Sequence, residues 1–290
     1  APYRIGVDIG GTFTDLVLAT PRGTHELKLL TTPEAPERAV LDGAKAILAA
    51  AGCAPGEIGL VVHGTTLATN ALIERKGAPT ALLTTEGFRD SVEMAYEHRF
   101  EQYDLSMQRP EPLVPRDLRL GVKERIAADG SVLLPLDEAA LRATARTLAS
   151  RGIQAVAICF LHSFTNPAHE RRAAAIVAEE MPGAAITISC EVAPEIREYE
   201  RASTTIANAY VLPLMGRYLA ALEGGLKDAG LDCPLLLMMS SGGVTTVDTA
   251  KRFPVRLVES GPAGGAILAQ AVAAENGLKE VLAFDMGGTT

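Results

Sequence analysis

Two glycine-rich turns, one near each end of the chain, have almost the same sequence. The first follows an apolar run and contains Asp8, Gly10, Gly11, Thr12 and Thr14; the second follows another apolar run and contains Asp285, Gly287, Gly288, Thr289 and Thr290. Glycine pairs permit positive φ and close backbone approach, so successive N–H groups can point into one concavity and bind an anion. The threonine hydroxyls add donors. Each aspartate can hold a hydrated Mg²⁺ through water.

The repetition distinguishes these turns from ordinary hairpins. A single Gly-Gly-Thr between strands is typical of a hairpin turn, but two copies with the same preceding aspartate indicate a pair of phosphate-binding turns. Asp8 and Asp285 are therefore candidate catalytic and metal-holding residues. The sequence has no GxGxxG that opens a helix and no GxxxxGK[ST], which excludes the dinucleotide-binding fingerprint and the P-loop.

Other polar clusters follow predicted strands, where ligands of α/β proteins bind. His63 to Thr66 follow one apolar run and Ser240 to Gly243 follow another. We take His63 and Thr65 as catalytic candidates, and Thr66, Ser241, Gly242 and Arg99 as substrate candidates. Three alternatives stay open: His63 is a structural core histidine, the segment that contains Arg99 is a solvated loop, and Asp15 caps a backbone turn.

Alternating strands and helices must position these residues. Period-2 and helical patterns predict strands at 3–9, 13–19, 26–30, 58–62, 80–83, 122–126, 153–160, 185–189, 235–239 and 281–284. Helices are predicted at 36–51, 67–75, 137–152, 166–181, 194–227 (with a kink or break at Pro213) and 262–275. Residues 86–115 form an irregular excursion, which is typical of a functional loop. This alternation predicts an α/β fold with a mixed sheet.

Composition narrows the class of protein. The 290 residues are 48% hydrophobic and carry 27 basic and 35 acidic groups, a net charge of −8. This argues against binding to a nucleic-acid backbone. The four cysteines form no CxxC pair, there is no HxH or HExxH, and no apolar run reaches membrane-spanning length. We expect a cytoplasmic protein without a bound transition metal, and a chain that is a fragment or one piece of a longer polypeptide.

Several further runs, taken together and in order, resemble the hydantoinase A/5-oxoprolinase family of the actin-like ATPase superfamily. They are Asp8 to Asp15, His63 to Thr66 with Thr69 to Leu72, Thr85 to Asp90, Glu198 to Arg201, Ser240 to Gly243 and Glu259 to Gly264. The chain departs from the family pattern at Cys190, where members carry histidine, and across Tyr96 to Phe100.

The resemblance implies a fold. It is a mixed-sheet actin-like ATPase (ribonuclease H-like) N-terminal domain with an inserted α/β region, truncated at the start of the second ATPase domain. We expect a first subdomain with a long loop at 1–116, an inserted or continuing α/β region at 117–235, a return to the first domain with a hinge helix at 236–280, and the first strand and phosphate turn of the second domain at 281–290. The two glycine-rich turns are then expected to face each other across one nucleotide.

The resemblance also implies a function. A protein of this family is expected to be an ATP-dependent subunit that opens hydantoin, 5-oxoproline or a related lactam by phosphorylating its carbonyl, with ATP and Mg²⁺ as cofactors. A hydantoinase B-type subunit or domain is the implied partner in a hetero-oligomer, and the fragment alone is expected to be inactive. Two alternatives are the ATP-using subunit of an acetone-carboxylase-type complex and a non-enzymatic actin-like ATP switch.

Overall fold

The computed structural model describes residues 3–98, 101–284 and 286. Its strands are β1 (Tyr3–Ile9), β2 (Phe13–Thr20), β3 (Gly23–Leu30), β4 (Ile58–Thr65), β5 (Thr80–Thr85), β6 (Arg119–Val122), β7 (Arg125–Ile126), β8 (Val132–Leu134), β9 (Ala155–Cys159), β10 (Ala185–Ile188), β11 (Leu235–Met238) and β12 (Val244–Thr246). Its α-helices are α1 (Pro36–Ala51), α2 (Leu67–Ile73), α3 (Ser91–Met94), α4 (Glu138–Ser150), α5 (Ala168–Glu180), α6 (Ser189–Val192), α7 (Glu198–Asp228), α8 (Val247–Arg252) and α9 (Ser260–Glu275). Short 3₁₀ helices cover Pro55–Glu57, Arg116–Leu118 and Pro254–Leu257.

The chain divides into two compact units. Unit 1 combines residues 1–76 with residues 214–290, and unit 2 consists of residues 77–213. The second boundary falls within α7, next to Pro213. This division follows packing, whereas the expected boundaries at 116, 235 and 280 refer to likeness with ATPase domains and stay a prediction.

The sheet of unit 1 is mixed. Its strand order is β12-β11-β4-β1-β2-β3; β1, β2 and β3 form an antiparallel meander, and β1, β4 and β11 are parallel. Alternate residues of β1 and β2 are buried, and α1 packs beside β2 and β3. The helix approaches closely because Gly43 lacks a side chain: a Cβ there would lie 2.4 Å from Leu16 Cδ1. The carboxyl ends of the three parallel strands therefore meet at one edge, where a ligand can reach the residues that follow them.

The four-stranded sheet of unit 2 is parallel, in the order β10-β9-β5-β6. Every residue of β5 and β9 is buried, as expected for parallel strands covered on both faces. Leu141 of α4 and Ile176 of α5 belong to one hydrophobic cluster on this sheet, and Ala202 and Ile206 of α7 belong to another. The sheet is thus the buried middle layer of unit 2.

Several sequence predictions are confirmed closely. The first hairpin and the helix at 36–51 lie where the pattern predicts them. The helix predicted at 137–152 is α4, and Asp137 caps its start, because the Asp137 carboxylate accepts a hydrogen bond from the Ala140 N–H at 3.0 Å. The predicted mixed α/β architecture is also present. These features depend on local periodicity and capping, which the sequence displays directly.

Other predictions were wrong in ways that pairing explains. Strand β4 extends to Thr65 because its pairing with β1 continues through Ile9. Pro213 lies inside α7, so the predicted break is absent there, whereas a kink at Pro213 stays a prediction. The predicted strand at 122–126 is divided, since β6 ends at Val122 and β7 begins at Arg125. Residues 281–284 form no strand: Leu282 and Phe284 are 92% and 83% exposed, and no other described strand pairs with them. A strand without a partner is not stable in water.

Candidate functional site

Three predicted site segments meet at the carboxyl edge of the unit 1 sheet. Asp8 and Ile9 of β1 pair with Gly64 and Thr65 of β4. On the other side of β4, Leu237 of the parallel strand β11 pairs with His63. The Thr66 N–H and hydroxyl both donate to the Ile9 carbonyl oxygen, at 3.1 and 3.2 Å. We name the segments at this edge, residues 8–12, 64–66 and 240–243, the edge site. The sequence predicted each segment separately, and the sheet topology brings them together.

The first glycine-rich turn closes the hairpin between β1 and β2. The Gly10 N–H donates to the Phe13 carbonyl oxygen at 2.9 Å, and a Cβ on Gly10 would lie 3.3 Å from that same oxygen. Glycine is needed here for close approach rather than for a positive φ. Gly11 and Thr12 are exposed, and within the described part of the chain neither of their N–H groups donates a hydrogen bond. Two adjacent amide donors are thus available to an anion.

Thr31 fixes this turn from the end of β3. Its hydroxyl donates to the Gly10 carbonyl oxygen and its N–H donates to the Thr12 carbonyl oxygen, both at 2.9 Å. The hydroxyls of Thr14 and Thr31 are also 2.9 Å apart, and Thr14 is fully buried. Thr14 was predicted to present its hydroxyl to a phosphate. In the structure this side chain is buried and stabilises the turn instead. Thr31 was missed because no local pattern marks it.

The carboxylate of Asp8 occupies exposed space beside Gly64. A Cβ on Gly64 would lie 3.1 Å from Asp8 Oδ1, which is tighter than an ordinary contact. Glycine at position 64 therefore leaves room for the carboxylate at the strand end. Asp15, the cross-strand neighbour of Asp8, instead pairs with Lys28 at 2.8 Å. This ion pair, rather than a backbone cap, is what the structure shows for Asp15.

His63 lies behind the edge site in the core of unit 1. Its side chain is fully buried, with Nε2 2.6 Å from the Tyr218 hydroxyl and Nδ1 3.4 Å from the Val7 carbonyl oxygen. Burial lowers its pKa to about 4, and the smaller effect of the Val7 hydrogen bond opposes this shift. The ring is therefore neutral at pH 7. This position suits a residue that orients β4 rather than one that exchanges protons with a ligand.

The two threonines after His63 have different environments. Thr65 is buried, and its hydroxyl accepts a hydrogen bond from the Leu67 N–H at 3.2 Å. Thr66 is only partly buried, and its hydroxyl also accepts from Asn70 Nδ2 at 3.2 Å. The other amide atom of that side chain, Asn70 Oδ1, is buried without a partner among the described residues. An acceptor therefore remains next to the edge site for a water or a ligand.

The start of α9 is anchored to the same edge. The Glu259 N–H donates to the Thr69 hydroxyl at 3.1 Å, and the Ser260 hydroxyl donates to the Thr65 carbonyl oxygen at 3.3 Å. Glu259 has φ 61°, which a glutamate rarely adopts, so these contacts hold a strained backbone. The family resemblance implies that this segment is a hinge, but no sequence pattern predicts its two hydrogen bonds.

The segment from Ser240 to Gly243 is a tight turn between β11 and β12. Met239 N–H donates to the Gly243 carbonyl oxygen at 2.8 Å, and Gly242 has φ 81°, which favours glycine. The Ser240 N–H and hydroxyl both donate to the Arg256 carbonyl oxygen, at 2.9 and 3.1 Å. Ser241 is exposed. Of the two predicted substrate residues in this turn, Gly242 has no side chain, and the Ser241 hydroxyl makes no hydrogen bond to any other residue that the structure describes.

Some predicted site residues lie outside the described residues. They are Arg99 and the second turn, Asp285, Gly287, Gly288, Thr289 and Thr290. The expectation that the two turns face each other therefore stays a prediction. Within residues 3–98, 101–284 and 286, no group of three or more His, Cys, Asp or Glu side chains could hold a metal ion. None of the described helices is both long and apolar enough to span a membrane.

A buried polar network holds the carboxyl edge of the unit 2 sheet. The Glu170 carboxylate accepts hydrogen bonds from the Phe160 N–H, the Ser189 hydroxyl and the Cys190 N–H, at 2.8, 2.6 and 2.8 Å. The buried Arg201 donates to the Phe160 carbonyl oxygen at 2.8 Å. Burial, together with Glu170, raises the pKa of the Cys190 thiol to about 12. A raised pKa disfavours the thiolate, which is the nucleophilic form of cysteine.

The mixed sheet of unit 1, with its antiparallel β1–β3 meander and parallel β1, β4 and β11, defines a mixed α/β fold of the actin-like ATPase type. The chain belongs to the hydantoinase/oxoprolinase family: residues 4–181 match the hydantoinase/oxoprolinase N-terminal region, and residues 201–290 match the hydantoinase/oxoprolinase domain that follows it. The resemblance inferred from the sequence is thereby confirmed.

Relatives of known activity cover almost the whole chain. The caprolactamase alpha subunit of Pseudomonas jessenii is 40% identical over 295 residues, which cover 99% of this chain and 42% of that subunit. The crystal structure of the ATP-dependent caprolactamase from that organism superimposes with a TM-score of 0.87 at 38% identity, over 98% of this chain and 42% of that one.

Two further relatives have other activities in their names. The 5-oxoprolinase of Saccharomyces cerevisiae is 32% identical over 333 residues, covering 99% of this chain and 25% of that protein. A nucleotide-free acetone carboxylase structure superimposes with a TM-score of 0.86 at 28% identity, over 94% of this chain and 41% of that one. The chain thus spans less than half the length of these relatives.

Proposed function

We propose that the chain is part of an ATP-dependent cyclic amide hydrolase subunit that opens hydantoin, 5-oxoproline or a related lactam. The observation that carries this proposal is the edge site, found in a chain 40% identical to a caprolactamase alpha subunit. Since the chain spans 42% of that subunit, the activity is proposed for the whole protein.

The edge site has the donors that a triphosphate needs. The exposed N–H groups of Gly11 and Thr12 are the proposed donors to phosphate oxygens, with Gly10 shaping the turn. The Asp8 carboxylate, in the space left by Gly64, is the proposed acceptor for water bound to Mg²⁺. Mg²⁺ neutralises charge on the phosphoryl group during transfer. By sequence likeness to the first turn, we propose that Asp285 has the role of Asp8 and that Gly287, Gly288 and Thr289 have the roles of Gly10, Gly11 and Thr12. Thr290, which follows them, is a further proposed phosphate contact.

The proposed reaction makes a stable amide reactive. The carbonyl oxygen of the lactam bonds to the γ-phosphorus of ATP, and the bond to the β,γ-bridging oxygen breaks as ADP leaves. Water then adds to the activated carbon, and the ring C–N bond breaks with a proton going to nitrogen. A second water releases phosphate from the resulting acyl phosphate. Thr66 and Ser241 are the proposed contacts to the lactam, and His63 and Thr65 are proposed to orient β4.

A matched pair of variants tests this proposal on the full-length protein with its partner. ADP release is measured with hydantoin, 5-oxoproline and ε-caprolactam. We expect Asp8→Asn to lower lactam-stimulated ADP release about 100-fold or more, the size of loss found when one group that stabilises a transition state is removed. Asp15→Asn, on the neighbouring strand and paired with Lys28, is the control and should stay within about twofold. If no lactam stimulates ADP release by the unaltered protein, the proposal is wrong.

Carboxylation is a second candidate because the acetone carboxylase structure superimposes almost as well. In that case ATP turnover would depend on both a ketone and bicarbonate. Omitting bicarbonate would abolish it, whereas bicarbonate has no role in lactam opening. The same assay therefore separates the two candidates.

The partner and location are further parts of the proposal. The caprolactamase and acetone carboxylase relatives are named as subunits, which supports a hetero-oligomer with a hydantoinase B-type subunit or domain. We also propose a cytoplasmic location and the segment boundaries at 116, 235 and 280. Co-purification of the full-length protein with a B-type chain would test the assembly.

A further inference from the structure

Thr31 lies outside the edge site, yet its contacts hold the first glycine-rich turn. It follows β3 directly in the chain. Its hydroxyl donates to the Gly10 carbonyl oxygen and its N–H donates to the Thr12 carbonyl oxygen, both at 2.9 Å. One residue therefore fixes the two peptide groups that precede and follow the peptide between Gly11 and Thr12.

The contact with Gly10 sets the direction of the Gly11 N–H. A trans peptide group is planar, so its N–H points opposite to its C=O. Because the Gly10 C=O points at the Thr31 hydroxyl, the Gly11 N–H points away from Thr31. Gly11 is exposed, and its N–H donates to no other residue that the structure describes. This N–H is one of the two proposed donors to phosphate oxygens, so Thr31 determines the direction of a donor that it does not contact.

A second threonine fixes the Thr31 hydroxyl. The hydroxyl oxygens of Thr14 and Thr31 are 2.9 Å apart. A hydroxyl has one proton, and that of Thr31 goes to the Gly10 carbonyl oxygen, so Thr14 is the donor to Thr31. Thr14 is fully buried, so water does not compete for its proton. The order of donation is thus Thr14 to Thr31 to Gly10, and each hydrogen bond polarises the next.

The fold of unit 1 holds Thr31 on both sides. Leu30, which precedes it, ends β3 and pairs with Phe13 of β2. After it, the Ala35 N–H donates to the Thr32 carbonyl oxygen at 3.1 Å, in the turn that leads into α1. Since α1 packs on β2 and β3, the position of Thr31 is fixed by the core and not by the turn that it holds.

The turn needs such a contact because it contains two adjacent glycines. Glycine populates more backbone conformations than any other residue. The hairpin bond from the Gly10 N–H to the Phe13 carbonyl oxygen fixes one side of Gly10, and the Thr31 hydroxyl fixes its C=O. Without the second contact, the Gly11 N–H is free to turn, and a phosphate has to order it at a cost in affinity.

We propose that Thr31 is a positioning residue for phosphate binding, which preorganises the first turn so that the Gly11 N–H faces the β- or γ-phosphate of ATP. This inference rests on the proposed function and adds to it a residue that does not contact the ligand. It predicts an effect confined to ligands that carry those phosphates. ATP and AMP form a matched pair of probes, because they share the adenosine and the α-phosphate and differ in the other two phosphates.

The test uses the full-length protein with its partner and measures the binding of ATP and AMP by calorimetry, with Mg²⁺ and without lactam. We expect Thr31→Val, which removes the hydroxyl at nearly constant volume, to weaken ATP binding about tenfold and AMP binding by less than about twofold. Thr31→Ser keeps the hydroxyl and should bind ATP within about threefold of the unaltered protein. Thr32→Val is the matched control, because the Thr32 hydroxyl makes no hydrogen bond to a residue that the structure describes. It should leave both affinities unchanged.

Hydrogen exchange in the unaltered protein tests the same geometry without a substitution. Mass spectrometry follows the peptide that contains Gly11. We expect ATP to slow exchange of the Gly11 N–H about tenfold or more, since a hydrogen bond to phosphate protects it, and AMP to leave the exchange rate unchanged. Equal exchange rates with ATP and with AMP would overturn the inference even if Thr31→Val does not fold.

The outcomes separate this inference from the proposed function. If folded Thr31→Val binds ATP as the unaltered protein does, or loses affinity for ATP and AMP equally, Thr31 does not position the turn for phosphate. The proposed function then stands as long as a lactam stimulates ADP release by the unaltered protein. If Thr31→Val selectively weakens ATP binding but no lactam stimulates ADP release, the role of Thr31 stands and the proposed reaction is wrong.

Discussion

Adding a single methyl group at Gly64 should disturb the Asp8 carboxylate without breaking the fold. In Gly64→Ala the new Cβ would lie 3.1 Å from Asp8 Oδ1 and 3.8 Å from the Val7 carbonyl oxygen. Restoring an ordinary contact distance of about 3.4 Å requires the carboxylate to shift by roughly 0.3 Å, which an exposed side chain can do. Replacing glycine in a strand also stabilises by about 0.5–1 kcal/mol, so the unfolding free energy should change by less than about 1 kcal/mol.

Activity should respond more strongly than stability. A misplacement of about 1 Å can cost 100-fold in rate, so a shift of a few tenths of an ångström at a phosphate-binding carboxylate should lower ADP release about tenfold. Gly6→Ala is the matched control on β1, because its Cβ would have only an ordinary contact, 3.9 Å from the Val17 carbonyl oxygen. Both variants are compared by urea unfolding and by ADP release. Full activity in folded Gly64→Ala would show that the position of the Asp8 carboxylate does not matter.

Three further predictions concern the buried polar residues. Burial lowers the His63 pKa to about 4, below its value in the unfolded chain, so the unfolded state binds more protons between about pH 4 and 6.5. The free energy of unfolding should therefore fall by roughly 3 kcal/mol as the pH falls through that range. In urea titrations at several pH values, His63→Gln should flatten this dependence. Tyr218→Phe leaves a buried His63 nitrogen without its 2.6 Å partner, and should cost about 1–3 kcal/mol in the same measurement while the rate of ADP release by the folded protein stays within a few-fold. In Glu170→Gln the new amide cannot accept all three hydrogen bonds that the Glu170 carboxylate accepts, so the urea midpoint for unfolding of unit 2 should fall. Glu26→Gln, on the surface, is the control and should leave that midpoint unchanged. Equal midpoints for the two variants would contradict the stabilising role of the buried network.

The elements and the first turn were predictable because their signals are local. The alternation in β1 and β2, the helical spacing in α1 and the cap at Asp137 each lie within one element. The roles of individual side chains were less predictable, because they depend on partners far along the chain. Thr14 is turned inward by Thr31, which follows it by 17 residues, and His63 meets Tyr218 across 155 residues. No spacing rule connects such pairs, and only the sheet topology does.

The edge site depends on two distant parts of the sequence that fold into one unit. Residues 1–76 supply the first turn and β4, while residues 214–290 supply Tyr218 behind β4, β11 beside it and the start of α9. Because Thr65 and Thr69 receive their contacts from Ser260 and Glu259, the segment after β4 reaches its final geometry only when both parts have met. The 137 residues of unit 2 lie between these two parts in the sequence, so the chain must close a long loop before those contacts form. Destabilising unit 2 at Glu170 should therefore slow the refolding of the edge site as well, and hydrogen exchange at Thr66 N–H, which bonds to the Ile9 carbonyl oxygen, can follow it.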